Sequence, residues 1–219
     1  MSKLRLVFAK EGRAVYISHL DLMRTMQRAF TRAGLKLKYS EGFNPHAVIS
    51  IALPLSVGVS SVCELMIFSM EDEMELSELP ERLNSALPEG IRVLSVYECE
   101  RKVKEIKWLK VSGDLKYDGK KIPDAEEVKL FFERDSIPAV RRTKRGESEE
   151  DLAPHIRDTE VYAAGENSLR MTALVSAQEP SVSPALLMSA LERNRPELGP
   201  VHSAFSRVEM LDEDLNVFR

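Results

Sequence analysis

The side chains best suited to chemistry lie between Ser18 and Ser50, in the stretch SHLDLMRTMQRAFTRAGLKLKYSEGFNPHAVIS. Arg24, Arg28 and Arg32 are spaced four apart, so on a helix they stack one turn above another along one side. Lys36 and Lys38 alternate with leucines directly afterwards and share one side of an extended segment. No acid stands between Asp21 and Glu41. A guanidinium offers planar two-point donation to phosphate, and an ammonium offers a compact point charge. The pattern describes an anion-binding face made of Arg24, Arg28, Arg32, Lys36 and Lys38. It also describes a solvated helix face on which Asp21 pairs with Arg24 or Arg28.

Two histidines flank this face. His19 falls at the first position of the helix, after the capping Ser18, where imidazole can meet phosphate beside the partly positive helix end. A hydrogen bond to a neighbouring loop is its alternative. His46 follows Asn44-Pro45 in the loop SEGFNPH, where a stiff backbone displays side chains. Asn44 and His46 therefore join the anion-binding set, and His19 and His46 are the candidates for general acid and base if the chain catalyses anything. Should they converge, an acid–base or metal pair becomes conceivable, although two histidines and Asp21 define no metal geometry. Tyr39 and Phe43 border the same turn and can either stack on a base or be buried. A second cationic group, Arg141, Arg142, Lys144 and Arg145, is followed at once by Glu147, Glu149, Glu150 and Asp151. It reads as a self-neutralised loop or as a mobile arm over RNA or a partner.

Other chemistries lack their residues. Gly42 and Gly58 read as turn glycines, and neither GxGxxG nor GxxxxGK occurs. The chain has no CxxC and no His/Cys pairing at ligand spacing, so we expect no metal and no cofactor. Cys63 and Cys99 read as buried thiols in apolar surroundings.

The elements that must carry these residues follow from periodicity. Leu4, Leu6 and Phe8 alternate through a first strand, Lys3–Ala9. Ser18 caps a helix to about Ala33, with Asp21 placed to return a hydrogen bond to the capping amide and Gly34 as the residue after the helix. Leu22, Met26, Ala29, Phe30 and Ala33 share one sector opposite the arginines. Leu35–Tyr39 reads as a short strand. Ala47–Leu53 and Val62–Ser69 read as strands, Leu76–Leu87 as a helix on Leu79, Leu83 and Leu87, and Ile91–Tyr97 as a strand. The order β-α-β-β-α-β is the ferredoxin-like one. Beyond a boundary near Arg101–Lys104, the strands Lys107–Tyr117, Ile137–Thr143, Leu169–Ser176 and Val201–Leu211 and the helices Asp124–Arg134 and Ser183–Arg193 give a similar order. The predicted class is α+β, with two ferredoxin-like halves in tandem over residues 1–102 and 103–219.

Of the 219 residues, 43% are hydrophobic and 30% charged, a globular composition without a membrane-length apolar run. MSKLRLVFAKEGR lacks the apolar core of a signal peptide, so a cytoplasmic protein is expected. The net charge of −4 conceals segregation. Residues 1–50 carry 9 Lys/Arg against 3 Asp/Glu, and residues 51–100 carry 2 against 10. Such a chain binds anions locally and not over its whole surface.

The pattern YISHLDLMRTMQRAFTRAGLKLKYSEGFNPHAVISIALPLSVGVSS resembles the radical-SAM-linked protein family, a bacterial domain found fused to radical SAM enzymes or encoded beside them. RRTKRGESEEDLAPHI resembles it more loosely. The resemblance implies a radical SAM enzyme as a separately encoded partner and an RNA or translation context. Without a CxxxCxxC motif the radical chemistry cannot belong to this chain. Three functions are therefore expected. The first is an RNA-binding accessory protein presenting tRNA or rRNA to that enzyme. The second is a metal-independent endoribonuclease, since the tandem pattern also resembles the CRISPR repeat-cleaving endoribonucleases, although their glycine-rich C-terminal loop is missing. The third is a protein adaptor without RNA contact.

Overall fold

A computed structural model of the chain describes residues 3–71, 74–143 and 146–219. It is a mixed α/β structure, rich in β-sheet and with four α-helices among the described residues. The chain divides into two compact units, one ending at Val103 and the other starting at Lys104.

The first unit contains β1 (Leu4–Lys10), α1 (His19–Arg32), β2 (Ile49–Ala52), β3 (Ser60–Phe68), α2 (Leu79–Asn84) and β4 (Ile91–Glu98). Its strands lie in the order β4-β1-β3-β2. Leu6 faces Met66 across β1 and β3 and Val96 across β1 and β4, all antiparallel. Ile51 faces Met66 across β2 and β3. The predicted apolar sector of α1 packs on this sheet: Leu22, Met26, Ala29 and Phe30 are buried. Phe30 meets Phe68 edge-on, with ring centroids 5.1 Å apart.

Ser18 caps α1, its Oγ accepting from the Asp21 backbone N–H. The expected return bond from Asp21 takes a different form: Ser18 Oγ donates to Asp21 Oδ2 at 2.7 Å. Ala33 is the C-terminal cap and Gly34 follows with φ +69.

Two expectations for this unit need correction. Leu35–Tyr39 forms no continuous strand, only the isolated bridges Leu37–Met70 and Tyr39–Ala47. Its backbone is shared between neighbours: Lys38 N–H donates to Ser69 O, Glu71 N–H to Lys36 O, and Val48 N–H to Lys38 O. The second helix spans only Leu79–Asn84, since Leu76–Glu78 is a 3-10 turn and Pro80 sits in the first helical turn.

The second unit contains β5 (Trp108–Lys116), α3 (Ala125–Phe132), β6 (Pro138–Thr143), β7 (Gly146–Asp151), β8 (Ile156–Gly165), β9 (Ser168–Ser176), α4 (Pro184–Asn194) and β10 (His202–Leu211). Four strands run β10-β5-β9-β8, while β6 and β7 pair as a separate hairpin. The strand predicted at Ile137–Thr143 is therefore not the second strand of the sheet. That place belongs to Ile156–Gly165, which periodicity missed because it is mostly exposed, with only Ile156 and Thr159 buried. The segment GESEED of β7 has no apolar residue to mark it. In α3, Val128, Phe131 and Phe132 are buried, whereas Leu130 is 54% exposed.

No helix among the described residues is long and apolar enough to cross a membrane.

Candidate functional site

The cations of α1 meet three different fates. Arg24 pairs with Asp21 at 3.3 Å, one turn earlier and at the surface. This pairing and the Ser18 hydroxyl hold the Asp21 carboxyl below its ordinary pKa, the hydroxyl being the larger cause. Arg32 donates from Nε (3.2 Å) and Nη2 (2.6 Å) to Ala86 O, two residues beyond α2. It serves the carboxyl end of the other helix, where the dipole favours a cation. Arg28 is exposed and has no hydrogen-bond or ion-pair partner among the described residues.

Past α1 the chain passes Lys36 and Lys38, both exposed, between the buried Leu35 and Leu37. It then enters the loop Ser40–His46. The loop is closed at its base. Ser40 N–H donates to His46 O at 2.8 Å, His46 N–H donates to Ser40 Oγ at 3.1 Å, and Ser40 Oγ lies 2.9 Å from His46 Nδ1. Between these residues, Glu41, Gly42, Phe43, Asn44 and Pro45 are all exposed. Phe43 has 112% relative exposure and Tyr39 53%, so the alternative of buried aromatics is excluded. The fold thus sets two exposed rings on and beside this loop.

Beside the loop lies an open groove of about 350 Å³. Its polar lining is Lys3, Ser40, His46, Ser50 and Ser69, over Val48 and Ile67. Ser69 is 8% exposed, and its hydroxyl has no hydrogen-bond partner among the described residues. Reading the residue types alone overlooked Lys3, Ser50 and Ser69. Strand register could have found two of them, because Ser50 pairs with Ile67 and Ser69 follows two residues later.

His19 does not share this groove. It opens α1, after the carboxyl end of β1, whereas the groove adjoins Lys3, just before the other end of β1. A helix of 14 residues spans about 21 Å, so the two histidines lie at opposite ends of the unit. They form no acid–base pair. Among the described residues no group of three His, Cys, Asp or Glu is placed to hold a metal ion.

The second cationic cluster is committed internally where it can be followed. Arg141 Nε lies 2.8 Å from Glu150 Oε1, and its Nη2 donates to Ser181 O at 2.8 Å. Arg141, in β6, thus has partners within the second unit, as the self-neutralised reading of this cluster would have it. Lys144, Arg145 and the Arg142 side chain lie outside the described residues. Cys63 is buried as expected. Cys99 is only half-buried, and its Sγ accepts from Arg5 Nη2 at 3.1 Å, so its surroundings are not apolar.

A sequence-family model described as an uncharacterized protein conserved in bacteria (DUF2344) matches residues 3–184. No curated protein matches the chain. Among solved structures, an unknown protein from Galdieria sulphuraria is 14% identical, covering 93% of this chain and 95% of that one, with a TM-score of 0.27. A DypB variant from Rhodococcus jostii RHA1 in complex with heme is 13% identical, covering 93% of this chain and 91% of that one, with a TM-score of 0.22.

Proposed function

The chain belongs to the DUF2344 family, and we propose that it is an RNA-binding accessory protein that grips single-stranded segments of tRNA or rRNA through its first unit. The observation carrying this reading is the fully exposed Phe43 on a closed loop, next to the half-exposed Tyr39 and to Lys36 and Lys38, whose ammonium groups have no partner among the described residues. Exposed aromatics offer π-faces to unstacked bases, and the cations between them meet the backbone phosphates. Arg28 and, through exchange of Asp21 for phosphate, Arg24 extend the cationic track along α1. Asn44 and His46 sit on the same loop as polar contacts.

Each unit is read as a ferredoxin-like domain. The support is the strand orders β4-β1-β3-β2 and β10-β5-β9-β8, with the β6–β7 hairpin as an insertion in the second. The partner in this reading is a separately encoded radical SAM enzyme, supported by the resemblance carried by SHLD and GFNPH. The separation of His19 and His46 gives no support to an endoribonuclease that pairs them; one that uses a single histidine, His19 or His46, as general acid or base is the alternative reading.

The test is binding of a fluorescent single-stranded RNA oligonucleotide followed by anisotropy. Loss of one base–aromatic stack costs about 1–3 kcal/mol, so Phe43→Ala weakens binding by roughly 5- to 150-fold. Binding that is unaltered by Phe43→Ala would overturn the reading.

A further inference from the structure

Ser40 holds the His46 imidazole by one of its two ring nitrogens. Ser40 Oγ already accepts the His46 backbone N–H at 3.1 Å. The same oxygen lies 2.9 Å from His46 Nδ1. In the tautomer in which the hydroxyl donates to Nδ1, the neutral imidazole carries its proton on Nε2 and presents a donor there. The contact ties the ring to the loop through Nδ1 and leaves Nε2 as its remaining polar atom.

This donor belongs to the groove that also contains Lys3, Ser50 and Ser69. Ser69 is 8% exposed as a residue, and its hydroxyl bonds to none of the described residues. That oxygen is not among the sequestered, unsatisfied polar atoms of the described residues, so it is open to the groove as a donor. The Lys3 ammonium likewise has no partner among the described residues. Ammonium, imidazole N–H and hydroxyl together provide cationic charge and several donors, with no carboxylate in the lining. A phosphodiester presents two free oxygens and one charge. A phosphomonoester presents three oxygens and up to two charges, which suits three kinds of donor around one cavity. The volume of about 350 Å³ is at the small end for ligand sites and fits one phosphorylated nucleotide over the apolar Val48 and Ile67 floor.

We propose that this groove is a subsite for the phosphomonoester of a single nucleotide, with Lys3, His46 Nε2–H and Ser69 as its donors. In the setting of the function proposed above, on which this step rests, that nucleotide is the phosphorylated end of the bound RNA strand, and Ser40 is the positioning residue for His46. Phe43, at the tip of the adjoining loop, then receives a base further along the strand.

The experiment compares wild-type binding to one RNA sequence in three forms, 5′-phosphorylated, 3′-phosphorylated and hydroxyl-ended. A parallel titration with adenosine 5′-monophosphate and with inorganic phosphate is followed by the His46 side-chain NMR signals. One phosphorylated form is expected to bind about tenfold more tightly than the hydroxyl-ended form. That preference should disappear in His46→Ala and in Ser69→Ala, while Phe43→Ala weakens all three forms alike and preserves the ratio. Equal binding of the three forms by the wild type, or a preference that survives both His46→Ala and Ser69→Ala, overturns the subsite and leaves the RNA reading standing. If no RNA binds but the mononucleotide shifts the His46 signals in wild type and not in Ser69→Ala, the subsite stands and the RNA reading falls. If neither RNA nor mononucleotide has any effect, both fall. A response to inorganic phosphate equal to that of the mononucleotide overturns the nucleotide assignment.

Discussion

Arg32 of α1 and Arg82 of α2 each serve the carboxyl end of the other's helix. Arg32 donates two hydrogen bonds to Ala86 O, and Arg82 Nη2 donates to Ala33 O at 2.8 Å. Helices leave their last carbonyls unsatisfied and carry partial negative charge there, so a guanidinium satisfies both needs. The exchange ties α2, only six residues long, to the 14-residue α1. Arg32 is therefore a structural residue within a series in which Arg24 pairs at the surface and Arg28 has no partner among the described residues.

This division predicts opposite behaviour from neighbouring arginines. Arg32→Ala and Arg82→Ala should each lower stability in urea unfolding by about 1 kcal/mol, the usual net value of such a bond. Arg28→Ala should leave stability unchanged and weaken RNA binding several-fold. An Arg28 variant that unfolds more readily than the Arg32 variant would contradict the assignment.

The amino end of α1 predicts a pH dependence. Asp21 is held below its ordinary pKa chiefly by the Ser18 hydroxyl, with Arg24 as a further cause. A carboxylate whose folded pKa is depressed contributes stability above its unfolded value, and that contribution fades as pH falls through the folded value. The contribution of Asp21 should thus be complete above about pH 4 and decline below it. Ser18→Ala should raise the Asp21 pKa towards the ordinary value, as read from its side-chain carboxyl NMR signal, and should cost about 1 kcal/mol as a lost cap. An Asp21 signal that titrates identically in both proteins would refute the coupling.

The second unit depends on a missing side chain. Gly113 of β5 lies opposite Phe205 of β10, and a Cβ at Gly113 would stand 2.4 Å from the Phe205 ring. Phe205 is buried, so the ring has little room to withdraw. Gly113→Ala should destabilise the protein by about 2 kcal/mol through overpacking. Phe205→Leu should recover part of that loss in the double variant, a non-additivity expected of residues in contact. Full additivity in thermal unfolding would show that the two do not compete for the same space.

Where one stretch of chain decides a feature by itself, the feature was legible. The apolar sector Leu22, Met26, Ala29 and Phe30 is a local pattern, and so is the Ser18 cap. Features that depend on a distant partner were not. The bond from Arg32 reaches a carbonyl 54 residues away, so its spacing with Arg24 and Arg28 suggested an equivalence that the fold removes. The strand β8 is mostly solvated and β7 is wholly polar, so apolar alternation had nothing to report in either. At the proposed site the loop with Asn44 and His46 was visible as a display of polar groups. Its closure by Ser40 and its proximity to Lys3 and Ser69 depend on strand register.

Salt dependence tests most directly whether the cations of the first unit meet RNA phosphates. Lys36 and Lys38 are exposed and unpaired among the described residues, so replacing both leaves the fold intact. For single strands the logarithm of the binding constant falls against the logarithm of salt concentration by about 0.7 per phosphate contact. The Lys36→Ala/Lys38→Ala protein should therefore bind single-stranded RNA more weakly at low salt, with a slope shallower by about 1.4. An unchanged affinity and an unchanged slope would contradict the account.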